Sequence, residues 1–207
     1  RGVFYIGAGV TAVINDVTIR YGNKASGNSI GGGIRNDGTL TVNRSSISYN
    51  YASVSGQGYG GGIANAGTLN VNDSTINNNF GWAQGGGIEN YYTADNSNTA
   101  NITNSTIAFN TVGASSATVG GSGVYARSGT MYLTNNTIVF NDSINQSSCS
   151  GTGDEAVGSG GGTINLKNNL IVANEVDGVT ITSIAGNCFD VTDSNIIDNG
   201  ANIFGRV

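Results

Sequence analysis

An isoleucine returns along this chain as Ile19, Ile47, Ile76, Ile107, Ile138, Ile171 and Ile196, at intervals of 28, 29, 31, 31, 33 and 25 residues. Each lies near the end of a unit of similar text. GTLTVNRSSISYN at 38–50 comes back as GTLNVNDSTINNN at 67–79, TANITNSTIAFN at 99–110, GTMYLTNNTIVFN at 129–141 and GTINLKNNLIVAN at 162–174. Weaker copies, VTAVINDVTIRYG at 10–22 and CFDVTDSNIIDN at 188–199, bring the count to seven. With such a period each unit is one piece of supersecondary structure that cannot bury its apolar face alone and stacks on its neighbours to do so.

Inside a unit the apolar residues alternate with polar ones: Leu40 and Val42 with Thr39 and Thr41, Leu69 and Val71 with Thr68 and Asn70. That is the period of a strand with one buried face, and helical spacing is nowhere sustained. A second short run, GGGI at 31–34, 60–63 and 85–88 and GSGV at 121–124, precedes several units, its glycines suited to corners with strained backbone. The reading is an all-β, right-handed, single-stranded parallel β-helix (solenoid) of about seven coils with three short strands per coil, forming a single domain over 1–207. Three residues after the late isoleucines stand Asn50, Asn79, Asn110, Asn141, Asn174 and Asn199, and stacked coil on coil these amides form a structural ladder that bonds the turn backbone. The first coil has Gly22 in that slot.

Chemistry is sparse. The chain has no histidine, so the usual serine or cysteine triads are excluded, and its 13 acids and 8 bases are spread thinly, without the paired carboxylates of a glycosidase. No metal or cofactor is expected. A net charge of −5 with no basic stripe argues against nucleic acid, and no apolar stretch is long enough for membrane insertion by a helix. The outward column Thr11, Thr39, Thr68, Thr99, Thr130 and Thr163 has the look of an ice-ordering array, but the column beside it (Val13, Thr41, Asn70, Asn101, Tyr132, Asn165) breaks the pattern, and threonine simply suits exposed strands. Phe80, Trp82, Tyr91 and Tyr92 fall on loops and are candidates for contact with a ligand or partner. Cys149 and Cys188 suit either a disulfide or two buried thiols, with no metal-site spacing.

The GGGI and IxxN signatures resemble the GGAI and FxxN repeats of the polymorphic outer membrane proteins, whose surface passengers are β-helical adhesins. They are also similar to secreted β-helix proteins of the choice-of-anchor Q type, in which GGGIxN-GTLTLTNSTISGN repeats end in text like LKNNLIVANEVDG (166–178) and GNCFDVTDSNIIDNGANIFG (186–205). The fourth repeat departs from the pattern through the insertion YYTADNSN at 91–98. The resemblance implies export to the cell surface or the extracellular space, and an oxidising compartment then favours the Cys149–Cys188 disulfide. The expected function is that of a non-catalytic extracellular structural protein of the cell surface. Residues 1–50 carry a surplus of bases and 154–207 a surplus of acids, so self-association end to end into a filament, through Arg1, Arg20 and Lys24 on one end and Asp190, Asp193 and Asp198 on the other, is one form it takes. The alternative is an adhesin or glycan-binding β-helix passenger contacting surface glycans. A polysaccharide lyase or hydrolase comes third.

Overall fold

A computed structural model of the protein describes residues 2–27, 29–53, 57–113, 120–144, 156–176, 179–180 and 196–205. Every strand pairing is parallel except one two-residue contact, Glu175–Val176 with Val179–Thr180. The result is an all-β parallel solenoid with no helix among the described residues.

Each coil contributes four short strands, not three. In the second coil they are Ile34–Asn36 (sheet A), Thr39–Asn43 (sheet B), Ser46–Ser48 (sheet C) and Tyr51–Ala52 (sheet D). The fourth strand escapes a pattern search because it is only two residues long, too short for alternation to register. Sheet A stacks six strands and sheets B, C and D seven each. Among the described residues the chain therefore returns to sheet A five times, short of the seven complete coils expected.

The corners explain how a strand can turn without leaving the stack. Between sheets B and C one residue per coil adopts positive φ (Asp16, Arg44, Asp73, Asn104, Asn135, Asn168), and between C and D another does (Tyr21, Tyr49, Asn78, Phe109, Phe140, Ala173). Most left-handed residues on the first corner are Asp or Asn, whose short polar side chains tolerate that backbone and bond to one another. Asn104 donates to Asp73 at 3.3 Å and Asn135 to Asn104 at 3.1 Å.

The core is a set of files along the axis. Ile34, Ile63, Ile88, Val124 and Val157 come from sheet A, and Leu40/Val42, Leu69/Val71, Ala100/Ile102, Met131/Leu133 and Ile164/Leu166 from sheet B. Sheet C adds Ile19, Ile47, Ile76, Ile107, Ile138 and Ile171. All lie in one contiguous cluster, so each coil's apolar face is closed by the coils above and below it.

The last coil corrects the sequence alignment. Ile196 pairs with Ile164 of sheet B, not with Ile171, and the partner of Ile171 is Phe204, 33 residues on. Asn202 fixes this register: its Oδ1 accepts from Asn169 Nδ2 at 2.9 Å and from the Asn169 backbone amide at 2.8 Å. Asn199 consequently lies on the exposed flank, its amide reaching Asn165 Oδ1 at 3.4 Å, and it is no member of the buried ladder. Cys149, Cys188, Arg1, Asp190 and Asp193 lie outside the described residues. Asp198 is engaged in a local turn, accepting from the Gly200 amide at 2.7 Å and Asn202 Nδ2 at 2.6 Å. At the other end Arg20 lies over the Tyr21 ring at 5.1 Å, and Lys24 is half-buried.

Candidate functional site

The asparagine ladder is structural. Asn50, Asn79, Asn110, Asn141 and Asn174 are buried, and each of the first four donates its amide to the next at 3.0 Å. Every receiving Oδ1 also takes the backbone amide of the donor residue, and the second amide hydrogen goes to a carbonyl of the preceding coil, as from Asn110 Nδ2 to Ile76 O at 2.9 Å. Two further ladders were missed by sequence reasoning. Asn36, Asn65 and Asn90 link at 2.7 Å at the end of sheet A, and Ser45, Ser74, Ser105, Asn136, Asn169 and Asn202 line the corner between B and C. Their signal, an asparagine two places after each GGGI and a Ser or Asn two places after the long strand, was present in the repeats.

The four aromatic candidates do not form one cluster. Phe80 is a strand residue of sheet D, stacked on Tyr51 at 4.4 Å and 12°, while Trp82 packs on Val112 and meets Phe80 edge-on at 6.3 Å. Tyr91 belongs elsewhere, immediately after sheet A, with the exposed Tyr92 beside it.

Tyr91 leads to a different site. Before four of the six sheet A strands the chain runs through Ser29–Ile30, Gly58–Tyr59, Gln84 and Gly120, which form a short ribbon of their own, and then reverses at a left-handed glycine (Gly31, Gly60, Gly85, Gly121). The reversal is so tight that a Cβ on Gly85 would stand 2.5 Å from that of Glu89. Ribbon and sheet A thus form the walls of a groove, and side chains that point outward from sheet A are covered: Ala64, Glu89 and Tyr125 are all buried. At one end the groove opens as a cavity of about 340 Å³ lined by Tyr5, Lys24, Ile30 and Arg35.

Its centre gathers charge and aromatic rings. The Arg127 guanidinium sits 5.0 Å above the Tyr59 ring and 5.6 Å from that of Tyr91, and the two rings meet at 5.4 Å. Arg35 lies 5.5 Å over Tyr5 and forms an ion pair of 2.8 Å with Asp37, to which the Tyr5 hydroxyl also donates at 2.9 Å. Glu89 lies on the groove floor with no exposure, and neither carboxyl oxygen has a hydrogen-bond partner. Burial pushes its pKa up to about 8, against the opposing pull of Arg127. The Gly60 amide, which also favours the ionised form, is committed to the Gln84 carbonyl at 3.1 Å and gives Glu89 little.

Burial thus favours the protonated form of Glu89 in the folded protein, and Arg127 keeps its positive charge. Among the described residues Arg127 makes no salt bridge. A half-buried cation over two tyrosine rings can pair with an anionic group on a ring that stacks beside it. No group of three or more acids, histidines or cysteines able to hold a metal occurs among the described residues. Sequence reasoning missed this site because its residues come from five coils and align only once the sheet is stacked.

The chain is a parallel β-solenoid with an internal asparagine ladder and a tyrosine–arginine groove along one sheet. Comparison with family models, curated proteins and solved structures finds no match to it.

Proposed function

We propose that the protein is a non-catalytic glycan-binding β-helix of the cell surface, whose groove takes a sugar carrying a carboxylate. The single observation behind this reading is Arg127, a cation over the rings of Tyr59 and Tyr91 whose nearby acid, Glu89, is held toward its protonated form by burial. Tyrosine faces suit the apolar side of a pyranose and the guanidinium suits a uronic acid. Lys24 at the mouth adds positive charge on a protein of net charge −5, while Arg35 there is paired with Asp37. With Glu89 enclosed and Asp37 tied up by Arg35 and Tyr5, the groove has no free pair of carboxyl groups for acid–base cleavage among the described residues. The test is retention on immobilised tetragalacturonate and tetramannuronate. Binding without new reducing ends or unsaturated sugars supports the reading, whereas cleavage of either oligomer replaces it with a lyase or hydrolase.

End-to-end assembly is a second reading. Its support is the first strand of each sheet, where Phe4, Tyr5 and Val13 are exposed on an edge against which another copy would add strands. Sedimentation at low salt would show polymers under this reading, and monomers at every concentration would remove it.

A further inference from the structure

The corner between sheets C and D carries a file of left-handed residues: Tyr21, Tyr49, Asn78, Phe109, Phe140 and Ala173. Their stacking is set by the backbone, with the amide of Tyr49 on the Asn77 carbonyl, that of Asn78 on Ala108 and that of Phe109 on Val139. The aromatic members pair along the axis. Tyr21 and Tyr49 meet at 5.9 Å and 34°, and Phe109 and Phe140 at 5.2 Å and 12°. Each pair shields one face of Tyr49 and of Phe109. Their other faces turn toward Asn78, where neither ring has a ring contact among the described residues, and both side chains are exposed, Tyr49 and Phe109 each at 54%. The Asn78 side chain, partly exposed between them, makes no hydrogen bond among the described residues.

The file thus has a gap one residue wide, walled by two aromatic faces and floored by an unengaged amide. Two interstrand spacings put the backbones of Tyr49 and Phe109 about 9.6 Å apart along the axis. Carbon atoms in contact lie about 3.5–4.0 Å apart, so a flat aromatic guest needs roughly 7 Å between walls and would rattle here. A puckered ring is thicker, about 8 Å by the same measure, and its axial hydrogens fill more of the span. Both of its faces must be apolar, which among pyranoses requires every ring hydroxyl to be equatorial and every axial position to hold hydrogen. An axial hydroxyl would press an unsatisfied polar group on one wall.

The geometry points to a second glycan site at which Tyr49 and Phe109 sandwich one neutral, all-equatorial pyranose of a β-linked chain while the Asn78 amide bonds its hydroxyls. This site shares no residue with the tyrosine–arginine groove and does not depend on it.

Asn78→Phe is the informative variant. Tyr49, Phe109 and Phe140 hold the same backbone conformation, so an aromatic ring is tolerated at this place in the fold and completes the file. Titration with cellotetraose, followed through the ring resonances of Tyr49 and Phe109, should show binding by the wild type that falls at least about tenfold in Asn78→Phe and in Phe109→Ala. The thermal midpoint of Asn78→Phe should be unchanged or higher, which separates a filled slot from a damaged fold. β-1,4-Galactotetraose, whose C4 oxygens are axial, should bind at least about tenfold more weakly than cellotetraose. No wild-type binding of cellotetraose at millimolar concentration, or equal binding by a folded Asn78→Phe, overturns the proposal. Loss of cellotetraose binding in Arg127→Gln with Asn78 intact would also overturn it, by assigning the sugar to the groove.

Discussion

Asn110 donates both its side-chain amide and its backbone amide to Asn141 Oδ1, each at 3.0 Å, so one oxygen in the next coil satisfies two donors in this one. The arrangement repeats from Asn50 to Asn174 and spares the chain an orphaned backbone group at the C–D corner of each of these coils. Replacing Asn110 by Ala leaves the Asn79 amides without their acceptor and the Ile76 carbonyl without its donor. Asn110→Ala should therefore destabilise the protein by about 3 kcal/mol, whereas Asn199→Ala, on the exposed flank, should cost under about 0.5 kcal/mol. Denaturant titration compares the two, and equal effects would refute the ladder's boundary.

The register of the last coil makes a separate prediction. Phe204 replaces isoleucine in the sheet C file and packs on the core, while Ile197, on sheet B, is 46% exposed. Phe204→Ala should cost about 2 kcal/mol and Ile197→Ala less than about 0.5 kcal/mol. A cost below about 0.5 kcal/mol for Phe204→Ala would contradict this register.

Glu89 gives the protein a pH dependence of definite sign. The unfolded chain loses this proton near the ordinary value of 4.5, and the folded protein holds it up to about 8. Through that window the unfolded state binds fewer protons, so stability falls as pH rises and reaches its low plateau above about 8, by an amount on the order of 5 kcal/mol. Glu89→Gln should remove this component, leaving the variant more stable than the wild type at pH 9 and close to it at pH 4. Parallel pH profiles for the two proteins would contradict the burial of an unpaired carboxyl.

Much of this was legible in the sequence. The parallel solenoid follows from the isoleucine period and the alternation around Leu40 and Val42, because a repeated strand face leaves few ways to close a core. Asn50 through Asn174 were readable as a ladder because they keep a constant offset from that isoleucine. Asn199 was misplaced because IIDN at 196–199 imitates IVAN at 171–174 of sheet C while its strand stacks on sheet B, opposite Ile164, which puts the asparagine on the flank. Glu89, Tyr59, Tyr91 and Arg127 were illegible as a site because the groove is made by a glycine reversal whose depth no periodicity encodes. Tyr91 alone was singled out, and it was grouped with Phe80 and Trp82, which lie on another sheet.

The account turns on Arg127 as an anion receptor. The direct measurement is calorimetric titration of tetragalacturonate and tetramannuronate into the wild type, Arg127→Lys and Arg127→Gln at low and moderate salt. The account predicts that at least one of the two binds the wild type and weakens with salt, that Arg127→Gln loses roughly 10- to 100-fold, and that Arg127→Lys falls between because it keeps the charge without the planar stack on Tyr59 and Tyr91. Affinity for both oligomers equal in the wild type and a folded Arg127→Gln, or absent from the wild type altogether, would contradict it.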